Sequence, residues 1–457
     1  MVFDERKYQS ALDYVYSFVD FSMVRQARLS AENFDLARME RLMRLLGNPE
    51  RLYPVIHIAG TKGKGSTAAM IAAVLQTAGY KVGLYTSPHL QDYVERIQIN
   101  RTPISHEYFV DLLERVKPHL AEVPEISTFE ITTALGFLAM AEAKVDIAVV
   151  EVGLGGRLDA TNVVRPLVSV ITSLSYDHMN VLGNSIDQIA AEKAGIIKPD
   201  RPIVLAPQMK AAEDVVVRIA EERHAPLTEV GKDYFFRPLS HSLDGQQLVV
   251  WSKDEQQEMN QYVQSGGATP WKPVTLTIPL LGFHQAQNAA TAYSAMQVAA
   301  QQGIKIADED IISGFANVDW AGRFEILSRD PIFVVDSAHN QDSALKLRLA
   351  IDDYLNGKSI ILLFGVSEDK DIHGMLDQLM PRVDLFIATK SIHPRAMDAV
   401  KLVELAQQYG KPTLVTQSVE EGIAIALDKA GSSTAIVVAG SIFVAAAVRE
   451  IWANRQH

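Results

Sequence analysis

The sequence predicts an α/β protein of two domains, each built on a mostly parallel sheet, and three observations carry that expectation. Residues 55–67, VIHIAGTKGKGST, read as strand, glycine loop and helix: Val55, Ile56 and Ile58 form an apolar run, glycines and lysines fill 60–65, and an Ala/Met/Ile/Leu-rich segment follows. The stretches DIAVVEV (146–152) and LVSVITSL (167–174) are almost continuously apolar, as parallel strands buried on both faces are. From about residue 325 the alternation of strand and helix starts afresh, with PIFVVDSAHN, SIILLFGV, DLFIATK, PTLVTQ and AIVVAGS. At 457 residues the chain exceeds the roughly 250–300 over which a single core grows. The expected architecture is an N-terminal P-loop-type, doubly wound, mostly parallel domain over 1–318 with a small antiparallel extension. A linker over 319–328 and a smaller C-terminal Rossmann-like α/β domain over 329–457 follow.

Composition narrows the function classes. Hydrophobic residues make up 48% and charged residues 21%, which suits packed cores and leaves little room for long disorder. The formal net charge of −12 argues against a general nucleic-acid or anionic-membrane surface, so the partners expected are small molecules. There is no cysteine, which excludes disulfides, thiolate metal sites and a cysteine nucleophile. The charged start MVFDERKYQS is not a signal peptide, and no apolar stretch has the length of a membrane span; a soluble, cytoplasmic, monomeric enzyme is expected.

Taken in order, residues 5–47 have helical periodicity, with Leu36, Met39, Leu42, Met43 and Leu46 on one face and Gly47-Asn48-Pro49 as a stop. In the glycine loop, backbone amides can turn toward a phosphate, and the following helix adds the positive end of its dipole. Lys64 would reach the β and γ phosphates, with Ser66 or Thr67 offering a hydroxyl to Mg²⁺. The general pattern G-x-x-x-x-G-K-[ST] is not matched, because Gly65 follows Lys64 and Ile58 stands five before Gly63. A lysine-containing turn is the plain alternative.

KVGLYTSPHL (81–90) reads as a second strand ending in Ser87-Pro88-His89, and FEITTALGFLAMA (129–141) as a helix in which Glu130 is either functional or a capping carboxylate. Glu151 ends an apolar strand at a glycine-rich loop, where a charge is costly unless it meets a cation. It is read as a Mg²⁺ ligand or water-positioning acid, or else as a salt-bridged strand end. The next strand ends at Asp177-His178; a lone histidine there is more often a satisfied loop residue than a ligand. Further strand and helix units lie around PIVLA and 211–223. Between about 228 and 280 short runs separated by Asp-Gly and Ser-Gly-Gly turns suggest an antiparallel insertion. Helix returns over 282–299, where Asn288 is a cap or a base contact. In the second domain polar groups stand at strand ends: Asp336 to Asn340, Ser367 to Lys370, Lys390 to Arg395, and Gly440-Ser441.

The motifs GTKGKGS (60–66), YTSPHL (85–90), FEITT (129–133), EVGLGGRLDATN (151–162), DHMNVLG (177–183), EKAGIIKP (192–199), HQxxN (284–288), GR (322–323) and DSAHN (336–340) are each weak alone. In this order they resemble, over nearly the whole chain, the folylpolyglutamate synthase and dihydrofolate synthase family of the Mur ligase superfamily. That family carries the glycine at position 65. The resemblance implies that Gly60, Thr61, Lys62, Gly63, Lys64, Gly65, Ser66 and Thr67 hold ATP phosphates, with Asn288, Arg323 and Asp336 as further nucleotide contacts, so that ATP lies between the two domains. It implies that Ser66, Ser87 and Glu151 surround one Mg²⁺ and that His178 holds a second with Lys193 as a carbamate, a monovalent cation being a candidate further ligand. Lys64, Glu151, His178 and Lys193 are thereby the expected catalytic set. Folate or pteroate binding is expected at Ser127, Thr128, Phe129, Glu130, Leu158, Asp159 and Ala160, and glutamate binding at His339 and Ser441.

The implied reaction is ATP-dependent addition of L-glutamate to folates, and to dihydropteroate, through an acyl phosphate. It needs positioning and charge neutralisation rather than a protein nucleophile, and no nucleophile-elbow arrangement is present. A peptidoglycan-precursor ligase would share the metal constellation, but FEITT and LGGRLDATN favour the folate branch. A phosphate-loop switch protein would share only 55–67.

Overall fold

The computed structural model describes residues 3–19 and 35–455. The chain forms two compact units: Met1–Pro238 with Leu248–Thr277 and Gln287–Val318, and Leu239–Gln247 with Ile278–Ala286 and Asp319–His457. Two short segments from within the expected 1–318 domain therefore belong to the second unit.

In the first unit eight strands form one sheet: β1 (Val55–Ala59), β2 (Val82–Tyr85), β3 (Ile97–Ile99), β4 (Thr102–Pro103), β5 (Ile147–Glu151), β6 (Val168–Ile171), β7 (Ile203–Leu205) and β8 (Leu227–Glu229). Their order is β4-β3-β2-β5-β1-β6-β7-β8. From β2 to β8 every pairing is parallel, while β3 and β4 add an antiparallel edge. All residues of β1 and β5 are buried, as two-sided cover by helices requires. The helix Lys64–Thr77 is buried almost continuously from Ser66 to Leu75, which explains its run of small and apolar residues on every side.

The helical reading of 5–47 resolves into Glu5–Tyr16, capped by Asp4, and Leu36–Leu45, capped by Asp35; residues 20–34 lie outside the described residues. The expected antiparallel extension is a three-stranded sheet of β9 (Tyr234–Ser242), β10 (Gly245–Ser252) and β11 (Val274–Ile278), in the order β11-β10-β9. Between β10 and β11 stands a helix, Gln256–Gln264, where only turns were expected. Its sequence QQEMNQYVQ buries Met259 and little else, so it carries a weak apolar stripe.

The second unit holds a sheet of β12 (Glu325–Arg329), β13 (Ile332–Val335), β14 (Ser359–Phe364), β15 (Leu385–Ala388), β16 (Thr413–Val415) and β17 (Thr434–Ala439), ordered β12-β13-β17-β14-β15-β16. All pairings are parallel except β12 with β13, and the stretch 319–328 read as a linker contains most of β12. Among the described residues no helix is long and apolar enough to cross a membrane.

Candidate active site

β1 lies between β5 and β6, so the loops leaving all three strands emerge at one carboxyl edge of the first sheet, where open α/β sheets bind ligands. Gly60 and Gly63 are held at φ +156° and +87°. A β-carbon on Gly60 would stand 1.9 Å from Thr172 Oγ1, and one on Gly63 would stand 2.2 Å from Asn288 Oδ1. Only glycine fits this approach. The amides of Thr61 and Lys62 donate to the Ser173 carbonyl at 2.9 and 3.1 Å, and the Thr172 hydroxyl donates to the Lys62 carbonyl at 2.8 Å. These bonds pin the loop to the exit of β6. The first turn of the Lys64–Thr77 helix leaves the amides of Lys64, Gly65 and Ser66 without helical acceptors, the usual anion seat.

Lys64 Nζ lies 3.8 Å from Glu151 Oε1, and the Ser87 amide donates to Glu151 Oε2 at 3.1 Å. Glu151 is the last residue of β5 and is buried. Lys62 Nζ pairs with Asp177 Oδ2 at 3.0 Å, and Asp177 Oδ1 accepts the His178 amide at 3.0 Å with His178 Nε2 3.8 Å away. His178 itself is in the left-handed region, φ 48°. Lys193, buried on the helix Ile186–Ala194, donates from Nζ to the Gly60 carbonyl at 2.9 Å. Burial, with Lys64 and Lys62 nearby, pushes its pKa down to about 7.

Of the stretches expected to bind folate, the first packs on the loop that carries the second. A β-carbon on Gly153 would stand 2.4 Å from Phe129 Cζ, so the Phe129 ring lies against the loop after β5. Glu130, however, forms a capping box with Ser127, accepting its amide at 2.7 Å and hydroxyl at 2.6 Å, and pairs with Arg38 at 3.0 Å. Thr128 donates to the Val15 carbonyl at 2.8 Å. Asp159 caps the turn Ala160–Val163 and accepts from the amides of Leu154 and Thr161 and from the Thr161 hydroxyl. Burial raises its carboxyl pKa against these donors. Leu158 lines a small open pocket with Leu154, Val181, Leu182 and Glu192.

In the second unit Asp336 accepts from the amides of Phe324 at 2.8 Å and Ala338 at 2.7 Å, and burial raises its pKa while Arg323 opposes that shift. The Arg323 guanidinium donates to its neighbour's carbonyl, Gly322, at 3.0 Å. His339 Nδ1 meets the Ser337 carbonyl at 2.9 Å, and the Ser441 hydroxyl accepts the Phe443 amide at 3.1 Å.

Among the described residues no group of three or more His, Asp or Glu could hold a metal by itself. Mg²⁺ asks less than that, since it keeps several waters and takes one or two carboxylates plus phosphate oxygens. Glu151, whose carboxylate meets Lys64 and the Ser87 amide, the buried Ser66, and the Thr67 hydroxyl, buried without a hydrogen-bond partner among the described residues, fit such a site. Thr172 and Asp177, which hold the loop and its lysine, were not singled out by sequence; their strand-end positions were the available signal.

This site and fold define a class. Residues 58–296 match the Mur ligase middle domain and 322–442 the Mur ligase glutamate ligase domain, and the protein is a Mur-type, ATP-dependent ligase. A dihydrofolate synthase/folylpolyglutamate synthase of Bacillus subtilis (strain 168) is 35% identical, over 91% of this chain and 94% of that protein. The Mycobacterium tuberculosis folylpolyglutamate synthase complexed with ADP superposes with a TM-score of 0.84 at 33% identity, covering 98% and 99% of the two chains. Escherichia coli FolC in complex with DHPP and ADP gives 0.84 at 27% identity, covering 98% of both. The chain belongs to the folylpolyglutamate synthase/dihydrofolate synthase family.

Proposed function

We propose that the protein adds L-glutamate to a folate carboxylate, and to dihydropteroate, using ATP, and works as a monomer in the cytoplasm. One observation carries this reading: the Lys64–Glu151 pair at the glycine loop adjoins the loop after β5, against which Phe129 of the FEITT helix packs. Phosphate chemistry and a flat aromatic acceptor thus have neighbouring seats. The B. subtilis relative carries both activities in its name, which supports the wider acceptor range.

A carboxylate is a poor acyl donor. Its oxygen attacks the γ-phosphorus of ATP, ADP leaves, and the acyl phosphate forms; the glutamate nitrogen then attacks the acyl carbon, phosphate departs and an amide remains. Lys64 and the amides at 64–66 bind and orient the phosphates, placing positive charge where negative charge develops. Mg²⁺, held at Glu151 and Ser66 with a second ion at His178 and the Lys193 carbamate, would supply further charge neutralisation. Asn288, Arg323 and Asp336 orient the nucleotide, and His339 and Ser441 contact glutamate.

The test offers dihydropteroate and a reduced folate separately, each with glutamate and MgATP, and reads the glutamylated product. Product from both acceptors is expected. ATP turnover with neither acceptor glutamylated would overturn the assignment.

A further inference from the structure

The loop after β5 has an anchor that the assignments above leave unused. His57, fully buried in the middle of β1, places Nε2 2.9 Å from Thr161 Oγ1. The Thr161 hydroxyl donates to Asp159 Oδ1 at 2.5 Å, where the Thr161 amide also donates at 3.0 Å, and the Leu154 amide donates to Oδ2 at 2.9 Å. Three donors converge on one carboxylate, so the hydroxyl proton lies toward Asp159 and the hydroxyl lone pairs face His57. His57 must therefore present an N–H.

An imidazole with its proton on Nε2 has a bare Nδ1, and Nδ1 is buried without a hydrogen-bond partner among the described residues. Burial, with Lys198 nearby, holds the ring neutral by lowering its pKa to about 3. An unpaired buried nitrogen is destabilising, and an aliphatic side chain would fill this place without that cost. What Nε2 does, rather than how the ring packs, accounts for a histidine here. The rest of the turn is tied elsewhere: Asn162 Nδ2 donates to the Arg157 carbonyl at 2.9 Å, and Lys198 Nζ donates to the Asn162 carbonyl at 2.8 Å. His57 links the turn to the strand that leads into the glycine loop.

We propose that His57 is a positioning residue: donating from Nε2 through Thr161 to Asp159, it fixes the 153–162 loop in the form that receives the pteroate part of the acceptor. The inference rests on the folate-ligase reading above.

Four single variants of the full chain and one double variant test it. His57→Gln carries an amide nitrogen the same number of bonds from the backbone as Nε2 and should keep the parent's kinetics. His57→Asn, whose nitrogen is one bond short, and His57→Leu should raise KM for the pteroate acceptor about tenfold, as loss of one buried hydrogen bond predicts. Their kcat and their KM for ATP should stay within about twofold. Thr161→Val should match them, and its combination with His57→Leu should be no worse than either alone, because both cut one chain.

Nitrogen-15 NMR of the parent should show, beside the other buried histidines His89 and His284, a histidine signal protonated at Nε2 only, not titrating across the neutral range, that is missing in His57→Gln. If His57→Leu does not fold, the Gln and Asn pair carries the comparison. Equal loss in Gln and Asn, or an unchanged acceptor KM in Leu, would overturn the proposal. A parent unable to glutamylate either acceptor would instead remove the folate reading, while the NMR signature still decides the tautomer.

Discussion

Lys193 Nζ stands 2.9 Å from the carbonyl oxygen of Gly60, joining a buried lysine to the first residue of the glycine loop. The pKa of the amine is lowered from 10.5 to about 7. Above about pH 7 the folded protein therefore holds a neutral amine, while the unfolded chain keeps the proton up to about 10.5. An unmodified Lys193 costs stability below pH 7, and that cost is relieved as pH rises from 7 toward 10.5.

The same neutral amine is the nucleophile for CO₂. Nitrogen would attack the carbon and release one proton, taking the side chain from neutral to −1 beside Lys62 and Lys64, whose charges oppose an ammonium and favour a carbamate. We predict that protein equilibrated with ¹³C-bicarbonate shows a carbamate carbon signal that grows above pH 7 and is missing in Lys193→Ala. Lys193→Ala should also lose ligation that a small carboxylate restores in part. A parent spectrum without the signal at any pH would end the idea.

Lys64→Ala is expected to fold and to lose turnover, because a loop lysine that meets Glu151 at 3.8 Å has little packing role. A charge-assisted contact that strengthens in the transition state is commonly worth about 3 kcal/mol, or about a hundredfold in rate. Product formation by a folded Lys64→Ala protein at near-parent rates would contradict the phosphate-loop role.

For Glu151→Gln, the amide keeps the shape and loses the charge, so the Mg²⁺ concentration needed for half-maximal activity should rise severalfold. Titration of both proteins with Mg²⁺ at fixed ATP is the measurement. Superimposable curves would make Glu151 a structural strand end.

Glu130→Ala removes a capping box and the Glu130–Arg38 ion pair, and should lower unfolding free energy by about 2 kcal/mol. Denaturant unfolding checks the stability term and acceptor KM checks the alternative. Unchanged stability with a large rise in acceptor KM would move Glu130 from capping to substrate contact.

Much of the fold was legible because parallel strands such as β1 and β5 must be apolar throughout, and because positive backbone angles at Gly60 and Gly63 demand glycine. The edge strands β3 and β4 were not, since three and two residues give no period to read. The assignment of 239–247 and 278–286 to the second unit depends on packing that no local pattern encodes. Within the site, Lys64 and Glu151 stood out as charges at the ends of apolar runs. Asp177 and His57 did not, because their roles depend on Lys62 and Thr161, which are 115 and 104 residues away. For Glu130, sequence left capping and function open, and the hydrogen bonds to Ser127 favour capping.

Among the described residues the strand β9 pairs within its sheet with β10 alone, Tyr234 making one further bridge to Val230, and its last six residues, 237–242, are exposed. A long open strand edge is a template onto which another polypeptide can add, and the three residues of β8 offer far less of one. Arg237 and Pro238 interrupt that template, one with a charge and the other by lacking an N–H. Arg237 and Pro238 thus guard an edge far in sequence from the glycine loop, and an exchange of either leaves every residue of that loop in place.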